Sequence, residues 1–487
     1  MAPGGSRAES SREGARRAWR SARQRLAIGR SAISPVGVSS GSFHFGSALL
    51  PGGWHDDVRI SVANGLIDAV ETGVAPRADD ECHAVAVPGM PNVHSHAFQR
   101  ALAGRTETRG TGEDDFWTWR EAMYRCSLSL TPDEVEIIAR HAYIEMLEGG
   151  FTRVGEFHYL HHDPDGRPYP DVAEMSDRIC AAAAAAGIGL TLLEVFYAHG
   201  QFGGAAPAHA QRRFVCDLDG YERLLAGARR AAAALPGAVV GVAPHSLRAV
   251  APAELEAVVG LGGCGPLHIH VAEQAAEVRD CLLWSGARPV AWLLDNAAVD
   301  NRWCLVHATH MDDVERTKVA RSGAAVGLCP VTEANLGDGI FDAAPYVAAG
   351  GCFGIGSDSN VQIGVACELR LLEYAQRLAR RTRNVLTGEG QSSGRALFGR
   401  AASGGARALG VERWGLSPGA SADWVTLRSD VFVASRDAWL DSWIFAAGNR
   451  LIDCVFVRGR KLVDGGCHRE HDASARRYRA TLARLMG

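Results

Sequence analysis

Short apolar runs alternate with longer helix-like stretches through most of the chain, and this alternation is the main structural signal in the sequence. Such a pattern is typical of βα units around a buried parallel sheet, and eight successive units imply a closed barrel. The runs predicted as barrel strands are residues 86–94, 152–158, 190–197, 238–244, 266–271, 303–307, 324–329 and 353–356. The predicted fold class is therefore α/β, with a TIM-like (β/α)8 barrel at its centre.

The two ends of the chain show a different pattern, with short strands and tight turns. Residues 58–62 and 67–70 alternate between apolar and polar side chains, and Asn64-Gly65 between them is a typical hairpin turn. Residues 423–427 and 454–463 show similar alternation near the other end. We expect the two ends to pair into one small β-sandwich domain beside the barrel.

These patterns define a predicted domain organisation. An Arg/Ser-rich tail at the start has no apolar periodicity and is expected to be disordered. No apolar segment follows Arg16-Arg17, so this tail is not expected to act as an export signal. The four predicted segments are the tail 1–41, the first part of the β-sandwich 42–85, the barrel 86–405, and the second part of the sandwich with a C-terminal helix 406–487.

Composition narrows the functional classes. The chain has 487 residues, which is long enough for one large catalytic domain and a smaller companion. Its net charge is only −4 and no long internal stretch carries one sign, so we expect neither nucleic acid nor a membrane as partner. Twelve cysteines are scattered without any C-x-x-C pair, which favours reduced thiols in a cytoplasmic protein. Small molecules are the expected partners.

The polar residues that end the predicted barrel strands carry the candidate chemistry. Active sites of such barrels are built from the C-terminal strand ends and the loops that follow them. Five of the eight strand ends carry histidine. The polar residues at these ends are His94, His96, Glu156, His158, Tyr159, His245, Arg248, His268, His270, Glu273, His307, Glu333, Asn335 and Asp358.

A metal site is the first chemistry that this set predicts. Residues two apart on a strand face the same side, so His94 and His96 can converge on one ion. Taken alone, an H-x-H pair is more often incidental, and further ligands are needed. His268 and His270 share one face of a later strand, and we choose His270 because it is nearer to the barrel mouth.

Asp358 is the candidate oxygen ligand. It follows a run of small residues that lets a carboxylate approach the barrel axis, although an Asp after a strand can also simply cap a helix. Three nitrogens and one oxygen with space for water describe a catalytic zinc site. A second ion would need a lysine carbamate at a strand end, and the two lysines, Lys318 and Lys461, lie elsewhere. The sequence therefore predicts one Zn²⁺ per chain.

Two further residues are candidates for proton transfer. Glu273 follows His270 by three residues, which places a carboxyl beside the metal without binding it. His307 ends the sixth predicted strand and is expected to share with Asp358 the proton of the attacking water. The alternatives are a solvated first-turn glutamate for Glu273 and a core histidine bonded to a backbone carbonyl for His307.

Several segments together resemble one known family. They read PGMPNVHSHAFQR (88–100), FWTWR (116–120), EFHY (156–159), HSLRAV (245–250), HIHVAEQ (268–274), WCLVHATH (303–310), TEANLGDG (332–339) and SDS (357–359). This set resembles the formimidoylglutamate deiminases of the amidohydrolase superfamily over the whole chain after the tail. The metal motifs are shared across the superfamily, whereas the WTWR and HSLR segments are more particular.

The resemblance implies an activity and a set of site residues. It implies zinc-dependent hydrolysis of N-formimino-L-glutamate to N-formyl-L-glutamate and ammonia, a step of histidine degradation. It also implies His94, His96, His270 and Asp358 as zinc ligands and Glu273, His307 and Asp358 as catalytic residues. The positions that match the family's substrate-binding residues are Gln99, Arg120, Tyr159, His245 and Arg248. Two positions depart from the family pattern: Pro330, where a serine is expected nearby, and Asn360, where the family favours histidine.

The chemistry of a dicarboxylate substrate agrees with these residue types. Arginine forks bind carboxylates in a bidentate manner, so Arg120 and Arg248 are the candidate clamps, unless they form salt bridges of the fold. Two other functions remain open at this stage. One is a deaminase of a heterocycle such as guanine or cytosine with the same metal set; the other is a catalytically silent metal-binding protein. A homodimer is the expected assembly.

Overall fold

The computed structural model describes residues 40–112, 114–429 and 436–486. The tail that is predicted to be disordered, residues 1–41, lies outside the described residues apart from its last two. The chain forms a closed barrel of eight strands and a separate eight-stranded sheet. The predicted (β/α)8 barrel and the pairing of both chain ends into a separate β domain are thus confirmed; the ends form one eight-stranded sheet where a β-sandwich was predicted.

The first four strands belong to the small sheet. They are β1 (Gly41–Leu50), β2 (Gly53–Ala63), β3 (Leu66–Glu71) and β4 (Glu81–Pro88). The predicted hairpin turn joins β2 to β3: Asn64 has φ 56° and Gly65 has φ 77°. Positive φ at both central residues matches the right-handed twist of the flanking strands, which explains the Asn-Gly pair.

The next eight strands are parallel and form the barrel. They are β5 (Met90–Ser95), β6 (Phe151–His158), β7 (Gly189–Phe196), β8 (Val239–Pro244), β9 (Leu267–Val271), β10 (Trp303–His307), β11 (Ala325–Leu328) and β12 (Cys352–Ile355). They follow one another around the barrel in chain order, and β12 closes the ring against β5. Seven of the eight predicted strands agree with these bounds to within one residue.

The last four strands complete the small sheet. They are β13 (Trp424–Leu427), β14 (Ile452–Val457), β15 (Arg460–Asp464) and β16 (Cys467–His468). The two chain ends meet where β13 pairs antiparallel with β4. Phe43, Phe45, Trp424 and Phe456 pack their rings together in a small core of this sheet. Aromatic burial therefore holds the two ends to each other.

The predicted first barrel strand, residues 86–94, is wrong as one element. Residues up to Pro88 belong to β4, because Val85–Pro88 pair with β13 in the small sheet. The barrel strand begins only at Met90, after Gly89. A Cβ at Gly89 would lie 2.2 Å from Thr152 Oγ1, so only glycine fits at this crossing between the sheets. The apolar run is continuous because both strands are buried, and periodicity alone does not reveal the break.

Helices follow the barrel strands and cover the outside of the barrel. They are α1 (Phe116–Ser129), α2 (Pro132–Glu148), α3 (Glu174–Ala186), α4 (Leu218–Ala232), α5 (Pro252–Leu261), α6 (Ala275–Ser285), α7 (Pro289–Asn296), α8 (Asp313–Ser322), α9 (Pro330–Leu336), α10 (Ala343–Ala348), α11 (Val365–Arg380), α12 (Ser393–Ala408), α13 (Asp437–Ser442) and α14 (His471–Met486). Short 3-10 helices occupy Ala97–Leu102, His209–Gln211 and Gly448–Leu451, and a short π-helix occupies Trp443–Ala447. Among the described helices, none has the length and apolarity needed to span a bilayer.

Helix α12 packs unusually close to the barrel wall. Gly404 and Gly405 face β12 and β5, and a Cβ built on Gly404 would lie 1.9 Å from the main-chain oxygen of Phe353. Gly405 is also buried, with the side chains of Pro91 and Val93 within 3.3 Å of its ideal Cβ position. This close approach covers the strands at the point where the barrel closes.

Replacement of Gly404 by alanine is therefore expected to destabilise the fold. A methyl group at that position collides with backbone, and overpacking of this kind costs about 3 kcal/mol. Gly399→Ala on the same helix is the control, because its new Cβ meets only the mobile end of Arg395 and gains roughly 1 kcal/mol in helix propensity. Thermal or urea unfolding measures both variants. Equal stability of the two would contradict the close packing.

Candidate active site

Three histidine side chains meet inside the mouth of the barrel. His94 Nε2 lies 3.1 Å from His96 Nε2 and 3.0 Å from His270 Nε2. His94 lies in β5, His96 directly follows it, and His270 lies in β9, on the opposite part of the barrel wall. All three are at least 95 % buried. The structure thus brings together the three histidines that the sequence predicts as metal ligands.

The protonation state of these rings shows what the cluster can bind. His96 Nδ1 contacts the carbonyl of Phe157 at 3.0 Å, and His270 Nδ1 contacts the carbonyl of His245 at 3.1 Å. A hydrogen on each Nδ1 leaves each Nε2 with a bare lone pair, and His94 Nε2 carries at most one hydrogen. At least one of the two nitrogen–nitrogen contacts therefore joins two lone pairs. A divalent cation between them relieves this repulsion, so the donor set fits a metal ion.

Burial keeps these imidazoles neutral. It lowers the pKa of His96 to about 3 and the pKa values of His94 and His270 well below the usual histidine value. The neighbouring imidazoles lower the pKa values of His94 and His270 further, since each disfavours a positive charge on the others. Neutral imidazole is the form that coordinates a metal.

Asp358 lies beside the histidine cluster. Its Oδ1 lies 3.6 Å from His94 Nε2 and 3.4 Å from His96 Nε2. The Asp358 amide donates to the His94 carbonyl at 2.9 Å, and the His96 amide donates to the Asp358 carbonyl at 2.9 Å. Asp358 does not cap a helix, since the following helix, α11, starts at Val365 with Gly364 as its N-cap. The alternative interpretation of Asp358 as a helix N-cap is thereby excluded.

Asn360 ties the Asp358 loop to the end of β5. Its Nδ2 lies 3.1 Å from Ser95 Oγ, 3.2 Å from the His96 carbonyl and 2.9 Å from the Asp358 carbonyl, and its Oδ1 accepts from Ser357 Oγ at 2.7 Å. Its φ is 57° and that of Asp358 is 45°, both in the left-handed region. Asparagine tolerates this conformation better than most residues. The departure from the family pattern at Asn360 is thus accommodated by a complete set of hydrogen bonds.

His307 lies among three carboxylates. Its Nδ1 contacts Glu333 Oε1 at 3.1 Å, and its Nε2 lies 3.7 Å from both Glu273 Oε1 and Asp358 Oδ2. Burial opposes the charged form, but Glu273, Glu333 and Asp358 together raise the pKa of His307 to about 10. The alternative of a core histidine bonded to a carbonyl does not hold, because its partners are carboxylates. His307 can hold a proton between these groups.

Glu273 faces the same space from the loop after β9. Glu277 fixes this loop, since its carboxylate accepts from the Ala272 amide at 3.0 Å and the Glu273 amide at 3.2 Å. Glu273 itself is only 5 % exposed, which excludes the alternative of a solvated first-turn residue. Its carboxyl and the Asp358 carboxyl line one pocket, together with His270 and His307. Burial raises the pKa of Asp358 to about 7.

His268 has a structural role, in contrast to His270. Its Nε2 contacts the carbonyl of Ala408 at 2.7 Å, at the end of α12. The two residues share a face of β9, but His268 lies one step deeper in the barrel. The choice of His270 over His268 in the sequence thus agrees with the geometry.

A pocket of about 670 Å³, including its open mouth, lies in front of the cluster. All the predicted substrate-binding residues line it, namely Gln99, Arg120, Tyr159, His245 and Arg248. Gln99 Nε2 donates to the Tyr159 hydroxyl at 2.7 Å, which leaves the Gln99 carbonyl without a partner in the described structure. These side chains offer both donors and acceptors to a polar ligand.

Arg248 is the clearest anion-binding group of this pocket. It is 8 % exposed, its Nη2 lies 4.0 Å from Glu273 Oε2, and its Nε has no partner in the described structure. An unpaired N–H group of a buried guanidinium is costly unless a ligand accepts from it. Arg120 packs its guanidinium over the Trp117 ring at 4.3 Å and extends into the same pocket from α1.

Sequence reasoning missed several residues of the pocket. The pocket is also lined by Tyr124, Tyr197 and Phe214. Glu333 contacts His307, and the sequence predicts its position at a strand end but not this contact. Tyr124 follows Arg120 by four residues on α1, a spacing that places both on one helix face. That signal was available in the sequence, whereas Tyr197 and Phe214 show nothing that separates them from core aromatics.

Neither lysine is near this site. Lys318 pairs with Asp295 at 3.5 Å on the outside of the barrel, and Lys461 pairs with Glu81 at 2.7 Å in the small sheet. Asn335, noted beside Glu333, donates to Glu107 at 2.8 Å away from the cluster. The absence of a lysine at the cluster removes the usual bridging ligand for a second ion.

A parallel barrel with inward histidines, a carboxylate and proton-transfer groups at its C-terminal mouth defines the class of barrel hydrolases. Comparison with known proteins identifies the family within that class. Residues 85–462 match the model of the amidohydrolase family, and residues 42–84 match that of the N-terminal domain of formimidoylglutamate deiminase HutF. The chain belongs to the amidohydrolase family, in its formimidoylglutamate deiminase branch.

Individual relatives agree with this assignment. Formimidoylglutamate deiminase of Pseudomonas aeruginosa is 49% identical over 445 residues, which cover 90% of this chain and 98% of the relative. An amidohydrolase crystal structure from Brucella melitensis has 55% identity and a TM-score of 0.90, and covers 92% of this chain and 100% of its own. The 8-oxoguanine deaminase of Pseudomonas aeruginosa is more distant, at 28% identity over 84% of this chain and 89% of its own.

Two histidine variants test the metal centre. His270→Gln is expected to weaken metal binding by more than about 100-fold, because it removes a nitrogen donor. His268→Gln on the same strand is the control and is expected to keep the metal while losing some thermal stability. Metal analysis of the purified proteins, together with thermal unfolding before and after chelation, measures both effects. Retention of metal by the His270 variant, or its loss only from the His268 variant, would contradict the assignment.

Proposed function

We propose that this chain hydrolyses the formimino group of N-formimino-L-glutamate to give N-formyl-L-glutamate and ammonia, as a step of histidine degradation. The observation that carries the proposal is a pair of arginines, one of them buried with an unpaired N–H group, in the pocket in front of the histidine cluster. The curated relative that is 49% identical has formimidoylglutamate deiminase as its name. Water adds its oxygen to the formimino carbon, and the imino nitrogen leaves as ammonia.

We further propose one zinc ion per chain, with His94, His96, His270 and Asp358 as its ligands. When bound, such an ion supplies a Lewis acid that lowers the pKa of water toward neutrality. The neutral imidazoles and their facing lone pairs support this ligand set. Nitrogen donors with one carboxylate suit zinc better than the hard cations Mg²⁺ and Ca²⁺.

The proton transfers use groups that already face one another. Asp358 Oδ2 and His307 Nε2 lie 3.7 Å apart, and this pair together takes up the proton of the attacking water. Glu333 orients the His307 ring from the other side through Nδ1. Glu273, which is 3.7 Å from the same Nε2, delivers a proton to the nitrogen that leaves as ammonia. Asp358 thus serves both as a metal ligand and in proton uptake, whereas Glu273 protonates the leaving nitrogen.

The substrate's two carboxylates need fixed cationic partners. Arg248 offers its free Nε from within the pocket, and Arg120 offers a second guanidinium from α1. Tyr159, Gln99 and His245 line the region between these arginines and the histidine cluster, and they can orient the formimino group. Two cationic groups are more than a neutral ring requires, which disfavours a guanine or cytosine deaminase. The complete set of proton-transfer groups disfavours a silent metal-binding protein.

We also propose that the chain works in the cytoplasm and as a homodimer. All twelve cysteines are unpaired thiols, which suits a reducing compartment. The exposed leucines of α6, with Leu283 at 86 % exposure, offer an apolar contact to a second copy. Sedimentation of the purified protein gives the number of chains directly, and a monomer at micromolar concentration would contradict the dimer.

Ammonia release tests the reaction. The purified protein should release ammonia from N-formimino-L-glutamate and much less from N-formimino-L-aspartate, whose carboxylates are closer together. Glu273→Gln should keep the metal but lower kcat by roughly 100-fold to 10,000-fold, because it removes a proton-transfer group. Glu254→Gln is the control, since Glu254 caps α5 and pairs with His199 outside the pocket. Undiminished turnover by metal-loaded Glu273→Gln would refute its role.

Substitution of Arg248 tests the recognition of the substrate carboxylate. Arg248→Met should lower kcat/KM by about 100-fold, since loss of one partner of a buried charge pair costs roughly 3 kcal/mol. Arg229→Met is the control, because Arg229 donates to the Leu261 carbonyl on the barrel exterior. Steady-state kinetics at several substrate concentrations separate KM from kcat. A normal KM in the Arg248 variant would show that the carboxylate binds elsewhere.

A further inference from the structure

Helix α1 forms one wall of the substrate pocket. Five of its residues line the cavity, and among them Arg120 and Tyr124 lie one turn apart. The lining residues of α1 are Phe116, Trp119, Arg120, Met123 and Tyr124. The helix does not belong to a regular βα unit, because it lies between β5 and α2. Its position relative to the barrel therefore depends on side-chain contacts.

Arg213 holds the C-terminal end of α1. Its Nη1 donates to the carbonyl of Leu130 at 2.8 Å and also to the carbonyl of Ser127, while its Nε donates to the carbonyl of His162 at 2.7 Å. Arg213 is fully buried, at 0 % exposure. It thus connects the end of α1 to the loop that follows β6.

A buried arginine normally pairs with a carboxylate, and Arg213 does not. In the described part of the chain, the guanidinium of Arg213 forms no ion pair with a carboxylate, and its remaining hydrogen bond is with the Tyr169 hydroxyl at 3.4 Å. Carbonyl groups at a helix C-terminus have no partners within the helix and carry partial negative charge. Arg213 donates hydrogen bonds to these carbonyl groups, so its positive charge stabilises the C-terminal end of α1.

Gln211, which like Arg213 lies in the segment between β7 and α4, makes a second connection to α1. Its Nε2 donates to the Tyr197 hydroxyl at 2.5 Å and lies 3.3 Å from the Tyr124 hydroxyl. Its Oε1 accepts from the Ala208 amide at 2.6 Å, which fixes the orientation of the amide group. Residues 211 and 213 therefore contact both the side-chain face and the C-terminal end of α1. By contrast, the N-terminal end of α1 is capped by its own Asp115.

We propose that Arg213 is a positioning residue for substrate recognition, which sets the location of Arg120 and Tyr124 by fixing the C-terminal end of α1. This inference rests on the proposed function, because it assumes a substrate with two carboxylates. Arg120 lies seven residues before Ser127, about 10 Å along the helix axis. A small tilt at the fixed end therefore moves the Arg120 guanidinium relative to the pocket, and misplacement by about 1 Å can cost 100-fold in rate.

The first test compares Arg213→Met with Arg212→Met. Arg212 is the neighbouring arginine, but it donates to Pro164 and His209 and makes no contact with α1 in the described structure. We expect Arg213→Met to raise KM for N-formimino-L-glutamate by about tenfold or more, with metal content kept and kcat changed by less than about threefold. Arg212→Met should keep both constants. A folded, metal-loaded Arg213→Met protein with normal KM would overturn the proposal.

Substrate analogues separate positioning from general stability. The N-formimino derivative of 4-aminobutyrate lacks the α-carboxylate, and that of L-2-aminobutyrate lacks the side-chain carboxylate. Arg213→Met should weaken the use of the analogue whose carboxylate contacts Arg120 and leave the other at the wild-type level. A purely structural arginine would lower the active fraction, and all three substrates would lose kcat/KM equally. Equal loss would therefore also overturn the proposal.

A double-mutant cycle identifies the residue through which Arg213 acts. In an Arg120→Met background, the further change Arg213→Met should have little effect on KM, because the group that it positions is already absent. Independent effects that multiply would contradict the inference. If Arg213→Met does not fold, Arg213→Lys is the second variant, since it keeps one charged donor for the carbonyls. It should show the same selective rise in KM to a smaller extent, and a normal KM there would count against the proposal.

The same measurements distinguish the two proposals from each other. Wild-type protein that releases no ammonia from N-formimino-L-glutamate would refute the proposed function, whatever the variants do. In that case, hydrogen exchange of the α1 amides still tests whether Arg213 fixes the C-terminal end of α1. The exchange should be faster in Arg213→Met than in Arg212→Met. Active wild-type protein with no selective effect of Arg213→Met would refute only the role of Arg213.

Discussion

The contact between unprotonated imidazole nitrogens at the barrel mouth is the interaction on which the rest of the site depends. His94 Nε2 lies about 3 Å from two other Nε2 atoms, and backbone carbonyls hold two of these rings in the orientation that points their lone pairs inward. Such an arrangement is repulsive by itself and becomes favourable around a divalent cation. The fold of the barrel keeps these side chains in place, and a bound metal is expected to increase the free energy of unfolding.

The place where the barrel closes supports this cluster directly. Strands β12 and β5 share one backbone pair, between Ile355 and Asn92, and the pairing continues past the end of β12 through a bridge between Ser95 and Asp358. Side chains reinforce this pairing: Asn92 Nδ2 donates to Ser357 Oγ at 2.7 Å, and Ser357 Oγ donates to Asn360 Oδ1 at 2.7 Å. This buried network continues through Asn360 to the residues beside His96 and Asp358. The same polar network thus closes the barrel and positions His96 and Asp358.

Charges of opposite sign are separated within the pocket. Glu273, Glu333 and Asp358 surround His307 near the cluster, while Arg120 and Arg248 lie on the pocket walls. The acidic side can exchange protons with the reacting group, and the basic side can bind the carboxylates of a ligand. Helix α1 contributes Arg120 to the basic side, so this wall of the pocket is built from an element outside the eight βα units.

The pattern of apolar and polar residues was sufficient to predict the barrel, seven strand bounds and the histidine cluster, because buried parallel strands are continuous apolar runs and their polar ends must meet at one edge. Strand periodicity also placed His94 with His96, and His270 nearer to the mouth than His268. Only the tertiary structure decided where β4 ends and β5 begins, since both are apolar, and which residues surround the ligands. Glu333, Tyr197 and Arg213 act through partners distant in the chain, and local pattern contains no information about such contacts.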